Sequence, residues 1–215
     1  MVDLRSSSTT DGRGPDASPL RQQLKRETAD LHRRLEMALG LLESELSLDR
    51  YRRVLELFFG FYAPVEAGLA RMAAAHPFAL PLRDRAALLE SDLLSVGLSQ
   101  REIADLPRCA DLPRLSCAED LAGCLYVVEG ACLGGQVIAP VLRERVGVAK
   151  DSGASFFIGD AEGTRARWSL FLAWLEGLVR AGSATAEIVA SARETFLAFA
   201  RWVERGGTHG GPDRL

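Results

Sequence analysis

Three glycines fall within six positions of one another in Gly130-Ala131-Cys132-Leu133-Gly134-Gly135-Gln136. The residues just before them, Leu121 through Val128, form the longest apolar segment and read as a buried helix. Each glycine costs a helix about 1 kcal/mol relative to alanine. A fold accepts such a run where the backbone must bend, or where something flat lies against bare main chain. Gly130 and Gly134 also have the GxxxG spacing that lets two helices approach closely. The residues themselves leave close packing and ligand contact both open.

The frame around this cluster reads as wholly helical. Ser18 and Pro19 look like an N-cap and a proline at the first helical position. Leu20, Leu24, Thr28, Leu31, Leu35 and Leu39 follow at steps of three and four, and the helix should end near Gly40. A second helix starts after Ser47, with Tyr51, Val54, Leu55, Phe58, Tyr62, Val65 and Leu69 on its inner face and a kink expected at Pro64. His76-Pro77-Phe78 and Pro81 read as a connection, and Arg83 to Leu94 as a third helix. Ser99 with Glu102, and Ser116 with Glu119, read as capping boxes. After the glycines, helix resumes from Gln136 to about Arg145, distorted by Pro140. Gly147 to Gly159 reads as a loop. Asp160 suits the cap of a helix carrying Trp168, Leu172 and Leu175. The last helix runs from about Thr185 to Glu204, with Ile188, Ala192, Phe196, Phe199 and Val203 inward.

No run alternates with period two and no internal repeat occurs, so the expected class is all-α, a single compact helical bundle. The 215 residues suffice for one domain with a sizeable core. Its expected limits are 18–205, after a polar, disordered segment 1–17 and before a glycine-rich, flexible tail 206–215. A net charge of −3 argues against a nucleic-acid binder. No apolar run approaches the roughly 20 residues of a membrane span, and the N-terminus lacks a signal-peptide apolar core. The expected compartment is the cytoplasm, with no membrane partner. There Cys109, Cys117, Cys124 and Cys132, none in a CxxC pair, read as free thiols filling the core rather than as a zinc site.

Among three histidines, His76 precedes a proline and His209 lies in the glycine-rich tail, so both read as surface residues. His32 flanks the apolar stripe of the first helix, one turn from Thr28 and Leu35. It is either a satisfied structural residue or a ligand. Glu36, one turn on, either orients the imidazole as carboxylates do behind metal-bound histidines, or pairs with Arg33 in solvent. A ligand imidazole on one helix facing a glycine-opened helix is a way to sandwich haem. Haem's propionates need a few cations at the pocket mouth, and Lys25, Arg165 and Arg167 have the right chemistry, although each also reads as a solvated surface cation.

Two stretches carry a resemblance. Thr28-Ala29-Asp30-Leu31-His32-Arg33-Arg34-Leu35-Glu36 and Tyr126-Val127-Val128-Glu129-Gly130-Ala131-Cys132-Leu133-Gly134-Gly135-Gln136 occur in the order and separation found in the haem oxygenase family. The likeness spans about Leu20 to Glu204. It resembles particularly the bacterial biliverdin-forming members often paired with phytochromes. The resemblance implies haem held between a proximal N-terminal helix and a kinked distal helix, with His32 as the iron ligand. It implies that Gly130, Gly134 and Gly135 lie against the macrocycle and Lys25 meets a propionate, with Thr28 and Glu36 beside the proximal ligand. Arg167 is a looser match to a cationic position, and Phe196 and Phe199 match apolar pocket walls. Haem would be both cofactor and substrate, cleaved with O2 to biliverdin, CO and ferrous iron. Electrons would come from a ferredoxin or flavin reductase, and a phytochrome would be a possible recipient of the product.

The chain departs from the pattern at Ala131, where many members carry an aspartate that holds the distal water network. The departure motivates an alternative, a haem-binding or haem-sensing protein without turnover. Main-chain carbonyls freed by the kink are one substitute anchor for water.

Overall fold

The computed structural model describes residues 18–75, 82–159 and 161–208. His76, Pro77, Phe78, Pro81, Asp160, His209, segment 1–17 and the tail beyond Thr208 lie outside the described residues. Among the described residues all regular structure is helical: α1 (Pro19–Leu39), α2 (Leu48–Ala75), α3 (Arg85–Ser95), α4 (Gln100–Asp105), α5 (Ala118–Gly130), α6 (Gly135–Val141), α7 (Ser155–Ile158), α8 (Ala161–Arg180) and α9 (Thr185–Glu204).

The ends of α1 follow from its sequence. Ser18 Oγ accepts from the Arg21 amide, Pro19 occupies the first turn, and Gly40 closes the helix in the left-handed region at φ 62°. Leu20, Leu24, Thr28, Leu35 and Leu39 are buried along one stripe. Ser99 and Glu102 form a reciprocal capping box on α4. The second expected box does not form. Cys117 occupies the N-cap of α5 with no side-chain hydrogen bond, and Ser116 donates from its amide and hydroxyl to Asp120 instead.

Helix α2 runs through Pro64. A proline there cannot donate to the carbonyl four residues back. The Cys109 amide takes that place, donating to the Gly60 carbonyl at 2.8 Å. Helix α9 ends in a hydrogen-bonded turn in which Gly207 donates to the Trp202 carbonyl.

The core is built on α9, which packs along both α1 and α5. The Arg193 guanidinium donates to the Glu27 carbonyl, Phe196 touches His32, and Glu204 pairs with Arg34, so α1 and α9 run parallel. Ser191 donates to the Asp120 carbonyl, and Cys124 reaches Thr195, so α5 runs parallel to α9 as well. The α5–α9 crossing is very close at Gly123, where a Cβ would stand 2.5 Å from the Ala192 nitrogen. The three parallel helices place α1 and α5 side by side on α9, with little direct contact between them.

Candidate active site

Where α1 and α5 do meet, the Tyr126 side chain of α5 stands near Thr28 of α1. Thr28 is 3% exposed and donates to the Leu24 carbonyl at 2.7 Å. Because both helices run the same way, His32 and Gly130 each lie one turn beyond this contact. Phe196 of α9 lies beneath His32, ring centroids 5.8 Å apart and edge to face. Lys25 stands exposed one turn before Thr28.

His32 keeps 55% of its side chain exposed, and its Nδ1 lies 3.2 Å from Glu36 Oε2. A neutral ring donating from Nδ1 presents the Nε2 lone pair outward. That is the arrangement in which a carboxylate holds a metal-binding imidazole in one tautomer.

On the opposite side the helix changes its winding. The α-helix ends at Gly130, a 3₁₀ segment covers Ala131–Gly134, and α6 resumes at Gly135. The segments Ala118–Gly134 and Val137–Val146 are bent by 46° relative to one another. After Pro140 the ladder widens into a π-turn over Leu142–Val146, and the helix from Gln136 is distorted there as expected.

The three glycines are not equivalent. Gly135 is buried, and a Cβ on it would lie 1.8 Å from the Phe157 carbonyl oxygen. Contact with α7 by itself requires glycine here, apart from the contact with the macrocycle that the resemblance implies. Gly130 and Gly134 have helical φ of −64° and −71°. A Cβ on Gly130 would meet only the Trp168 ring, at 3.8 Å, and one on Gly134 only Ile138 of its own helix, at 3.7 Å. Both are ordinary van der Waals distances. Nothing in the fold obliges these two residues to be glycine, yet each weakens the helix.

A family model described as "Heme oxygenase" matches residues 18–205. The chain belongs to the haem oxygenase family. A haem oxygenase of Xanthomonas campestris pv. campestris (strain 8004) is 29% identical over 168 residues, covering 76% of this chain and 94% of that one. The fold is similar to the NO- and CO-bound haem oxygenase of Neisseria meningitidis, with a TM-score of 0.69 at 21% identity, over 89% of this chain and 93% of that one. Haem oxygenases are oxidoreductases that bind haem as substrate, and the helical fold read from the sequence is the one found.

Two further expectations need correction. Arg167, expected as a cation at a pocket mouth, is buried and grips Glu129 through Nε at 2.9 Å and Nη2 at 2.7 Å. Arg85 of α3 also donates to Glu129 and to Cys132, closing a buried cluster behind the kink. A guanidinium so placed is held by its counter-charge. Arg165 remains exposed. Phe199, expected as a pocket wall, stacks on Phe61 at 4.3 Å inside the aromatic core with Phe58 and Tyr62, facing α2 rather than α1.

Burial pushes the Glu129 carboxyl up, but the hydrogen bond from Arg167 and the charges of Arg85 and Arg167 outweigh it, so it ionises below the ordinary carboxylate range. Burial raises the Cys132 thiol and pushes Cys124 up to about 12, which suits thiols that act as packing. A cavity of about 370 Å³ lies between α2, the start of α3 and α5, bordered by Glu66, Arg85 and Glu129, and takes none of its lining from α1. It is therefore separate from the space beside His32. Sequence reasoning missed Tyr126, the Glu129 cluster and this cavity. The pairing of Glu129 with Arg167 spans 38 residues, which helical periodicity does not report.

Proposed function

We propose that the chain is a haem oxygenase that cleaves haem to biliverdin, CO and ferrous iron. The observation that carries this reading is the pair Gly130 and Gly134. Their Cβ positions have room and their φ angles are ordinary, so an outside ligand explains glycine there better than the fold does. The residues present fit haem: His32 offers Nε2 with Glu36 behind Nδ1, and Phe196 offers an apolar floor. When bound, haem supplies the iron that activates O2 and is itself the molecule oxidised.

The chain's own residues do the rest. His32 holds the ligand from the α1 side as a neutral donor, and Glu36 fixes its tautomer. The bare main chain at Gly130 and Gly134 lets the kinked helix press on the ligand's other face, limiting how small molecules lie there. Lys25, exposed one turn before Thr28 on α1, would meet a propionate. Phe196 excludes water from the proximal side. Electrons come from an external donor such as a ferredoxin or flavin reductase, in the cytoplasm, and a phytochrome is the proposed recipient of biliverdin.

The test is haemin titration. Wild type should take up one haemin with a histidine-ligated absorbance spectrum, and His32→Ala should lose that spectrum. Added reductant and O2 should then bleach the Soret band. One observation favours a second reading. Ala131 offers no acid to hold a distal water, and a non-catalytic haem binder would keep its Soret band unchanged under the same conditions.

A further inference from the structure

Among the described residues, one buried side-chain nitrogen or oxygen lacks a hydrogen-bond partner: Trp168 Nε1. Native interiors rarely leave such a donor unpaired, because burying it unpaired costs free energy that an apolar ring of similar shape would not. Phenylalanine could make the same ring contacts. The Trp168 ring packs against Tyr126 at 5.8 Å and Phe171 at 5.2 Å, and its six-membered edge lies 3.8 Å from the place a Gly130 Cβ would occupy. The unpaired donor therefore belongs to the ring whose six-membered edge, away from Nε1, abuts the first glycine of the kink.

We propose that Trp168 is a positioning residue of the site, whose Nε1–H binds an acceptor oxygen that arrives with the bound haem, either a water or an oxygen of the ligand. This rests on the haem reading above. The chemistry limits the role. An indole N–H donates but does not accept and does not ionise near neutral pH, so it orients an oxygen and cannot relay a proton. That is the half of a carboxylate's work, holding a water, that Ala131 cannot do. The residue before Trp168, Arg167, is tied to Glu129, the residue before Gly130. The ion pair thereby fixes the indole and the kink relative to each other.

The test uses ultraviolet resonance Raman of the full chain with and without haemin, reading the indole band whose frequency reports hydrogen bonding at Nε1. Trp202 already donates to the Leu57 carbonyl at 2.9 Å and serves as an internal reference. The ligand-free protein should show a non-hydrogen-bonded component, absent in Trp168→Phe. Haemin should move that component to the hydrogen-bonded position. Trp168→Phe should fold, bind haemin through His32, and weaken its Kd by about two- to tenfold, the worth of one hydrogen bond. Should Trp168→Phe not fold, the wild-type spectrum alone still has to gain hydrogen-bonded intensity on haemin addition. Haemin bound in a His32-dependent way with no movement of the band overturns the proposal while leaving the haem reading intact. Absence of His32-dependent haemin binding overturns both.

Discussion

Arg167 and Glu129 form a buried fork between α8 and α5, with Glu129 Oε1 2.9 Å from Nε and 2.7 Å from Nη2. Glu129 is the residue just before Gly130, and Arg85 reaches it from α3. Three helices are thus fastened at the point where the chain changes from α to 3₁₀. Glu129→Ala leaves two guanidiniums buried without their counter-charge, and should cost about 3–5 kcal/mol in urea unfolding.

The same cluster sets a pH dependence. The Glu129 carboxyl ionises below its unfolded value, so its contribution is fully present above an unfolded pKa of about 4.3 and fades as pH falls through the lower folded value. Urea midpoints of wild type and Glu129→Gln should differ by a constant amount at neutral pH and converge below about pH 4.

The glycines separate by substitution. Gly130→Ala and Gly134→Ala should each stabilise the ligand-free protein by up to about 1 kcal/mol, since the methyl has room and the helix gains propensity. Both should weaken haemin binding or slow its turnover. Gly135→Ala should destabilise by about 3 kcal/mol or more, because its Cβ would strike the Phe157 carbonyl, which cannot give way as a flexible side chain does. Thermal melts with and without haemin distinguish the two classes.

At the proximal side, His32→Ala should alter ligand-free stability by about 1 kcal/mol or less, because the ring is half exposed and touches chiefly Phe196. Glu36→Gln should keep haemin binding but weaken it up to about tenfold, because the amide holds the ring without the carboxylate's charge. Equilibrium titration by absorbance checks both.

The helical frame was legible because its signals are local. Ser18 with Pro19, Ser99 with Glu102, and the stripe from Ile188 to Val203 each lie within a few turns, and each forms as read. The Ser116 box failed because Asp120 competes for the same donors from the first turn of the helix. The site was legible only in part. Glycine spacing marked the kink, but which glycine faces α7 depends on a loop that returns more than 20 residues later. Gly123 carries no local mark at all, since its need arises from the Ala192 backbone of α9. Phe196 and Phe199 share one helix and one apolar character, and only the packing of α1 and α2 on either side sends them to different neighbours.

The most direct measurement is product identification after a single turnover of the haemin complex, supplied with O2 and a ferredoxin–reductase pair, by absorbance and mass spectrometry. Wild type should yield biliverdin with one CO and one ferrous iron per haemin, and His32→Ala should yield none. Haemin recovered intact from wild type under those conditions would contradict the account.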